Sequence, residues 1–246
     1  MDRMLYVAMT GAKETLRAQT VNNHNIANVS TTGFRADLAA FQSRAVDGSG
    51  YASRVYATAG TVGWDEKSGA MLSTGRDLDI AVNGAGWIAV QDANGREAYT
   101  RAGDLQIDAT GQLTTGAGRP VLGDGGPMNI PPYTSIFFAR DGSVSIVAQG
   151  QTPDAASTVG RLKLVNPPPE QLERGEDGLF RMKDGSDAPA DAAVQIGSGV
   201  LESSNVNAAQ AMVNMIELSR QFEMQVKAIR TAEENGAAAA QLMRVG

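Results

Sequence analysis

The apolar positions near both ends of the chain follow the period of an α-helix. The N-terminal series is Leu5, Met9, Ala12 and Leu16. The C-terminal series is Met212, Met215, Ser219, Phe222, Val226 and Ile229. Steps of three and four place these side chains along one stripe, as in the a/d seam of a coiled coil. We therefore predict a helix at each end. We expect the two helices to pair with each other and with neighbouring molecules, or to pack on the central domain as ordinary amphipathic helices.

Between the two ends, short β-prone runs alternate with turn dipeptides. These dipeptides are Asn83-Gly84, Asn94-Gly95, Asp124-Gly125, Asp141-Gly142, Asp177-Gly178 and Asp184-Gly185. Such pairs accept the positive φ angles that tight hairpin turns require. The pattern predicts a central all-β domain, so the fold class is α+β, with paired, coiled-coil-like terminal helices flanking the β domain.

The composition of successive stretches sets the expected boundaries. Residues 1–35 are expected to hold the N-terminal helix, 36–70 an extended connector, 71–198 the β domain and 199–246 the C-terminal helix. The connector is expected because this stretch is rich in Ala, Gly and Ser. At the second helix, Asn205 or Asn207 is the expected N-cap, and Asn235-Gly236 is expected to interrupt the helix near its end.

The overall composition excludes several classes of protein. Among 246 residues there is no Cys and one His, which excludes thiolate metal sites, cysteine nucleophiles and multi-His centres. The net charge of −6 is the wrong sign for a general nucleic-acid binder. No apolar run approaches the roughly 20 residues that cross a bilayer, and the N-terminal segment lacks the apolar core of a signal peptide. We expect no nucleic-acid partner, no membrane insertion and no cleaved signal peptide.

Two groups of residues are candidates for chemistry. Asp77 and Asp79 would share one face of a strand, and paired carboxylates at a suitable distance hydrolyse glycosides. The solvated edge of a strand explains the pair equally simply. His24 has no acidic residue close in sequence to orient it, which favours a polar position on a helix surface. We predict no enzymatic activity, no metal and no cofactor.

Three stretches resemble one known family. Residues 24–35 read H-N-I-A-N-V-S-T-T-G-F-R, similar to the N-terminal signature N-N-L-A-N-x-x-T-x-G-F-K of bacterial flagellar rod and hook proteins. Residues 74–84 resemble the opening of that family's β domain, and residues 199–207 its C-terminal signature. His24 and Gln210 depart from the family pattern. The first and last residues are most similar to the proximal-rod member, with the distal-rod member as the alternative.

The resemblance implies a mechanical function. The terminal helices would stack in the inner layer of a tubular rod, with the β domain outside, and the subunit would transmit motor rotation through the periplasm. The implied partners are copies of this chain, other rod proteins and the flagellar type III export apparatus, which secretes without a cleaved signal peptide. A hypothesis from another class is an extracellular glycan-binding β module with oligomerising helices.

Together, the helical series and the resemblance predict an assembly interface. Asn25 and Asn28 are expected to bond free backbone groups where the first helix ends, Gly33 to allow a chain reversal, and Phe34 to hold the chain that follows. The predicted interface residues are Leu5, Met9, Leu16, Asn25, Ile26, Asn28, Gly33, Phe34, Asn205, Asn207, Met212, Met215, Ile216, Phe222, Val226 and Ile229.

Overall fold

The protein is described from a computed structural model in residues 3–45, 55–152 and 155–245. Parts of the predicted segments, including 46–54 of the connector, lie outside the described residues. The chain divides into two compact units. The helical unit comprises Met1–Val29, Ala36–Asp65 and Val206–Gly246, and the β unit comprises Ser30–Arg35 and Glu66–Asn205. The predicted α+β class is confirmed.

The helical unit consists of two long helices and a hairpin. Its elements are α1 (Arg3–Ala27), β1 (Asp37–Ala45), β2 (Val55–Trp64) and α2 (Ala208–Val245). The 25 residues of α1 and the 38 residues of α2 give lengths of about 38 and 57 Å. In the described part of the chain, neither helix has the length and hydropathy that a bilayer-spanning segment requires.

The stretch expected to be an extended connector is an antiparallel hairpin. β1 pairs with β2 from Asp37↔Trp64 to Ala45↔Val55, with a bulge between Leu38 and Ala39. The backbone N–H of Asp65 donates to the carbonyl of Ala36 and closes the base of the hairpin (2.8 Å). The sequence concealed these strands because small Ala, Gly and Thr residues blur the alternation that identifies a strand.

The helix boundaries also differ from those expected. α1 ends at Ala27, and residues 30–35 belong to the β unit. α2 begins at Ala208 rather than at 199, and residues 199–205 belong to the β unit. The helix continues through Asn235 and Gly236, so the predicted interruption there is wrong. A single interior glycine costs only about 1 kcal/mol of helix stability, and the following alanines favour the helix.

In its described residues, the β unit has one 3-10 turn (Pro169–Gln171) and sixteen short strands. They are β3 (Met71–Ser73), β4 (Ile80–Asn83), β5 (Trp87–Gln91), β6 (Glu97–Thr100), β7 (Leu105–Ile107), β8 (Leu113–Thr115), β9 (Leu122–Gly123), β10 (Gly126–Pro127), β11 (Tyr133–Phe138), β12 (Ser143–Ala148), β13 (Ala156–Arg161), β14 (Leu164–Val165), β15 (Leu172–Arg174), β16 (Phe180–Met182), β17 (Gln195–Ser198) and β18 (Val200–Glu202).

These strands form small antiparallel sheets around one apolar core. The largest sheet has the order β14-β5-β6-β16-β15, and a second has the order β11-β12-β13. β4 pairs with β17, and β3 with β18, so strands from the start and the end of the unit lie side by side. The core consists of buried apolar side chains, of which Ile80, Ile88, Leu105, Leu113 and Val144 are fully buried.

Candidate functional site

The contact between α1 and α2 includes a glycine, an alanine and two polar side chains. Ala8, Ala12 and Ala18 of α1 are buried, as are Ala211 and Ala232 of α2. A Cβ atom placed on Gly11 would lie 2.9 Å from the side-chain amide of Gln225. The amide of Asn22 donates to the carbonyl of Ala211 (2.8 Å). Since Gly11 meets Gln225 and Asn22 meets Ala211, the two helices run antiparallel.

In the described part of the helices, seven large apolar side chains are exposed. They are Tyr6, Met9 and Leu16 of α1 and Met212, Val213, Ile216 and Met224 of α2, each between 45% and 63% exposed. We call these seven residues the exposed apolar set. Four predicted interface residues belong to it: Met9, Leu16, Met212 and Ile216. Leu5, Ile26, Met215, Phe222, Val226 and Ile229 are partly buried.

The seam predicted along α2 therefore needs correction at its first position. Met212 is 56% exposed, whereas its neighbour Ala211 is buried against α1. Ala211 and Gln225 are fourteen positions apart, which is two heptads, so both lie on the side of α2 that faces α1. Met215, Phe222 and Ile229 lie 4, 11 and 18 positions after Ala211, on that same side of α2, and are partly buried. The correction is therefore confined to Met212, and the rest of the seam stays a prediction.

The two asparagines at the end of α1 bond backbone groups as expected. The side chain of Asn25 accepts from the backbone N–H of Asp37 (2.8 Å) and donates to the carbonyl of the same residue (2.9 Å). The amide of Asn28 donates to the carbonyl of His24 in the last turn (2.9 Å). Asn25 thus holds the start of the hairpin, and the Asn28 side chain adds a second bond to the His24 carbonyl, which also accepts from the backbone N–H of Asn28 (3.2 Å).

His24 has an acidic partner that its sequence neighbours did not reveal. Its Nδ1 lies 2.7 Å from Oδ2 of Asp37. The hairpin returns Asp37, thirteen positions along the chain, to the end of α1, and His24 lies at an exposed position of the helix, as the sequence favoured. The contact joins the two elements without creating a catalytic arrangement.

The start of α2 is capped by Asn207. Its side-chain oxygen accepts from the backbone N–H of Gln210 (3.1 Å), the position three residues into the helix. The side chain of Gln210 donates to Asn214 (3.0 Å). Asn205, the other candidate cap, lies in the β unit, where its amide donates to the carbonyl of Lys67 (2.9 Å).

Gly33 and Phe34 lie in the β unit beside a set of buried charges. Gly33 has φ +66°, and a Cβ there would lie 2.2 Å from the carbonyl carbon of Arg101. Its backbone N–H donates to the carbonyl of Glu202 (2.8 Å). Phe34 is buried, and the guanidinium of Arg174 lies 4.3 Å from its ring centre. Gly33 thus combines a positive φ with a close backbone approach that leaves no room for a side chain.

Arg35, Arg101 and Glu202 form a buried ion triad that sequence reasoning missed. The carboxylate of Glu202 lies 2.8 Å from Nη1 of Arg35 and 3.0 Å from Nη1 of Arg101. The pKa of Arg101 is lowered by burial; Glu202 opposes this, and Arg35 adds to it. The only signal in the sequence was the position of Arg35 and Glu202 inside two of the signature stretches. Their pairing was hidden, because Arg101 and Glu202 are 101 positions apart.

The carboxylates considered for catalysis do not share a strand face. Asp77 is exposed in a turn, while Asp79 is buried and pairs with Arg76 (3.2 Å). Among the aromatic residues considered for glycan binding, Trp87, Tyr99 and Phe138 are buried, and Phe137 is exposed. The geometry of the described residues therefore supports an assembly surface better than a catalytic or sugar-binding one.

Comparison with known proteins agrees with that geometry. Three family descriptions match consecutive parts of the chain: flagella basal body rod protein at residues 5–35, flagellar hook protein FlgE/F/G D1 domain at 81–151, and flagellar basal body rod FlgEFG protein C-terminal at 198–242. The flagellar basal-body rod protein FlgF of Salmonella typhimurium is 44% identical over 249 residues, covering 99% of each chain. The chain belongs to the flagellar basal-body rod protein family.

Within the rod family, the similarity to FlgF exceeds that to FlgG. FlgF of Escherichia coli K12 is also 44% identical, over 99% of each chain, whereas FlgG of Bacillus subtilis is 34% identical over 95% of this chain and 96% of its own. The chain is a structural rod subunit, and the distal-rod alternative is the weaker one. The terminal matches cover both helices together with Arg35 and Glu202.

Proposed function

We propose that this chain is a proximal-rod subunit that assembles with copies of itself and with other rod proteins through its helical unit. The observation that carries the proposal is the exposed apolar set on α1 and α2. Fully burying a side chain of this size is worth on the order of 1.5–3 kcal/mol. Neighbouring subunits that cover these side chains would therefore stabilise the assembly, while the small residues between α1 and α2 hold the subunit's own helices together.

The pairing of α1 with α2 is proposed to be coiled-coil-like and to form part of the inner layer of the rod. The two-heptad spacing of Ala211 and Gln225, both in contact with α1, supports this arrangement. Contacts between successive subunits would be head-to-tail and would leave an open end for growth. The predicted interface residues, from Leu5 to Ile229, are proposed to act in these contacts.

The place of action is proposed to be the periplasmic part of the basal body. The subunit would reach it through the flagellar type III export apparatus and would pass motor torque toward the distal rod and hook. Family membership supports the basal-body location. We propose no catalytic activity and no cofactor.

A charge placed within the exposed apolar set tests the assembly proposal. Ile216→Lys should leave the thermal unfolding of the β unit unchanged but prevent incorporation into isolated basal bodies, because burial of an unpaired ammonium is unfavourable. Gln221→Lys adds the same charge at an exposed polar position of α2 and is the matched control. Incorporation of both variants at the wild-type level would contradict the proposal.

Complementation separates the proximal from the distal position. The wild-type chain should restore swimming to a strain that lacks its FlgF relative and should not restore a strain that lacks FlgG. Rescue of the FlgG-deficient strain alone would assign the distal position instead.

A further inference from the structure

The chain crosses between the helical unit and the β unit at four points. Residues of the β unit beside these crossings are hydrogen-bonded to one another. The crossings follow residues 29, 35, 65 and 205. Asn205 donates its backbone N–H to the carbonyl of Phe34 (3.2 Å) and its side-chain amide to the carbonyl of Lys67 (2.9 Å). The N–H of Ser203 donates to the carbonyl of Ala70 (2.9 Å). The incoming and outgoing segments of the β unit therefore meet at one place.

The Glu202 carboxylate lies at the centre of this meeting point and is fully buried. One oxygen accepts from Arg35 (2.8 Å) and from the backbone N–H of Gly69 (3.0 Å), and the other accepts from Arg101 (3.0 Å). A single side chain thus joins the segment that enters the unit after α1, the segment that returns after the hairpin, and the segment that leaves toward α2.

The arginines connect this carboxylate to the rest of the β unit. Arg101 also donates to the carbonyls of Val82 (3.3 Å) and Gly84 (2.6 Å), at the end of β4, and Arg35 donates to the carbonyl of Lys67. The backbone of Gly69 also packs closely against Ser203, because a Cβ on Gly69 would lie 1.9 Å from the carbonyl oxygen of Ser203. The two segments therefore have little room to shift relative to each other.

We propose that Arg35, Glu202 and Arg101 are a mechanical clasp that keeps the ends of the β unit closed when force is applied through the helices. Force on α1 enters the β unit at Ser30, and force on α2 enters at Asn205. The bonds between 33–35 and 202–205 are therefore the first in the β unit to be stretched. The importance of this clasp for torque transmission rests on the proposed rod function.

The chemistry of the clasp suits a directional mechanical load. Bonds between ionised groups are about twice as strong as neutral hydrogen bonds, and removing one partner of a buried pair leaves an uncompensated charge. Glu202 is thus a positioning residue for the crossing segments, and its loss should release them before the apolar core opens.

Pulling the full-length chain by its two ends in an optical trap tests the clasp. In the wild type, the β unit should open in one step. In Glu202→Gln, residues 30–35 and 199–205 should detach first, as an added step of roughly 45 Å of extended chain. At constant force, the rate of first opening should rise about 100-fold, equivalent to about 2.7 kcal/mol at 1.36 kcal/mol per tenfold.

A matched control and a second variant complete the test. Glu176→Gln makes the same change at an exposed position and should behave as the wild type. If Glu202→Gln does not fold, the triple variant Arg35→Met/Arg101→Met/Glu202→Met replaces the buried charges with apolar groups, a change that often preserves stability. It should keep the wild-type melting temperature and still open early under force.

Single-step opening of Glu202→Gln at the wild-type rate would overturn the clasp, as would equal weakening by Glu176→Gln. Wild-type opening of the triple variant would also overturn it. The pulling measurement uses the purified chain, so it stands independently of incorporation into the rod. Failure of Ile216→Lys to block assembly would contradict the proposed function and leave the clasp result unchanged.

Discussion

The two units differ in what they bury. The β unit encloses large apolar side chains such as Ile88, Leu105 and Leu113, and it pairs the charges that it buries. The helical unit buries alanines between its helices and leaves Met212 and Ile216 more than half exposed. The β unit therefore has an apolar core of its own. The helical unit leaves several large apolar side chains exposed, which is the property expected of the proposed assembling element.

The first prediction concerns the stability of each unit in the monomer. Isolated helices gain most of their stability from packing, and the α1–α2 contact buries small side chains. Amides in α1 and α2 should therefore exchange with deuterium roughly a thousandfold or more faster than those in β4, β5 and β12, because local opening energies range from near zero to the global value. Hydrogen exchange with mass spectrometry on the purified monomer measures this ratio.

Assembled rods provide the control for that measurement. The helices should become protected there, while exchange in the β unit should change little. Strong protection of both helices in a monomer of verified mass would show that the helical unit is complete without neighbours, and the comparison between the two units would fail.

The second prediction concerns the contribution of Gly33 to the stability of the β unit. In Gly33→Val, the side chain would combine an unfavourable positive φ with contact against the Arg101 backbone, which cannot move aside as a side chain can. The two penalties together should destabilise the β unit by about 3–5 kcal/mol. Scanning calorimetry should show this as a lower melting temperature for the β-unit transition.

Gly75→Val is the matched control for steric contact. Gly75 also has a positive φ, of +69°, but a Cβ there would meet nothing within 4 Å. This variant should show the backbone strain alone, about 1–3 kcal/mol. Equal effects of the two substitutions would mean that the approach to Arg101 does not constrain Gly33.

The sequence predicted the elements whose signals are local. The β5–β6 hairpin follows from a short β-prone run and Asn94-Gly95, and Gly95 has the expected positive φ of +81°. The cap at Asn207 and the helix-end bonds of Asn25 and Asn28 were equally local. The hairpin of β1 and β2 was missed because its small residues gave no clear alternation.

Contacts between distant residues were beyond sequence reasoning. Glu202 meets Arg35 and Arg101 only after the whole β unit has folded, and nothing near any of the three residues identifies its partner. That Ala211 rather than Met212 faces α1 depends on residues of the other helix, since Asn22 bonds the Ala211 carbonyl and Gly11 lies beside Gln225. The sequence of α2 alone could not reveal those partners.

The third prediction uses acid to probe the β unit. Burial acts to raise the pKa of Asp92. Backbone hydrogen bonds from Arg96 and Asn94, together with the contact with Arg181, outweigh burial and lower the pKa from an ordinary 3.8 to about 2. The lower folded-state pKa gives a stabilisation of about 2 kcal/mol above pH 4, which is lost as the pH falls toward 2. Urea unfolding of the β unit between pH 5 and 2 should show this decline.

Asp92→Asn provides the reference for the pH dependence. This variant should be less stable at pH 7, because its amide lacks the charge that attracts Arg181, and its stability should fall less steeply between pH 4 and 2. Parallel declines in the wild type and the variant would assign the acid sensitivity to other carboxylates.

The smallest predicted effect belongs to the helical unit and comes from the cap of α2. Asn207→Ala removes the acceptor of the Gln210 backbone N–H and should cost about 1 kcal/mol of helix stability. The helical unit is expected to have little stability of its own, so this loss of helix stability should lower the helical circular-dichroism signal of the monomer at 25 °C. The melting temperature of the β unit should remain unchanged. Asn207→Ser keeps a side-chain acceptor and should retain the wild-type signal. A lowered melting temperature of the β unit in Asn207→Ala would show that the two units unfold as one cooperative body, whereas an unchanged helical signal would show that α2 is held by contacts stronger than its cap.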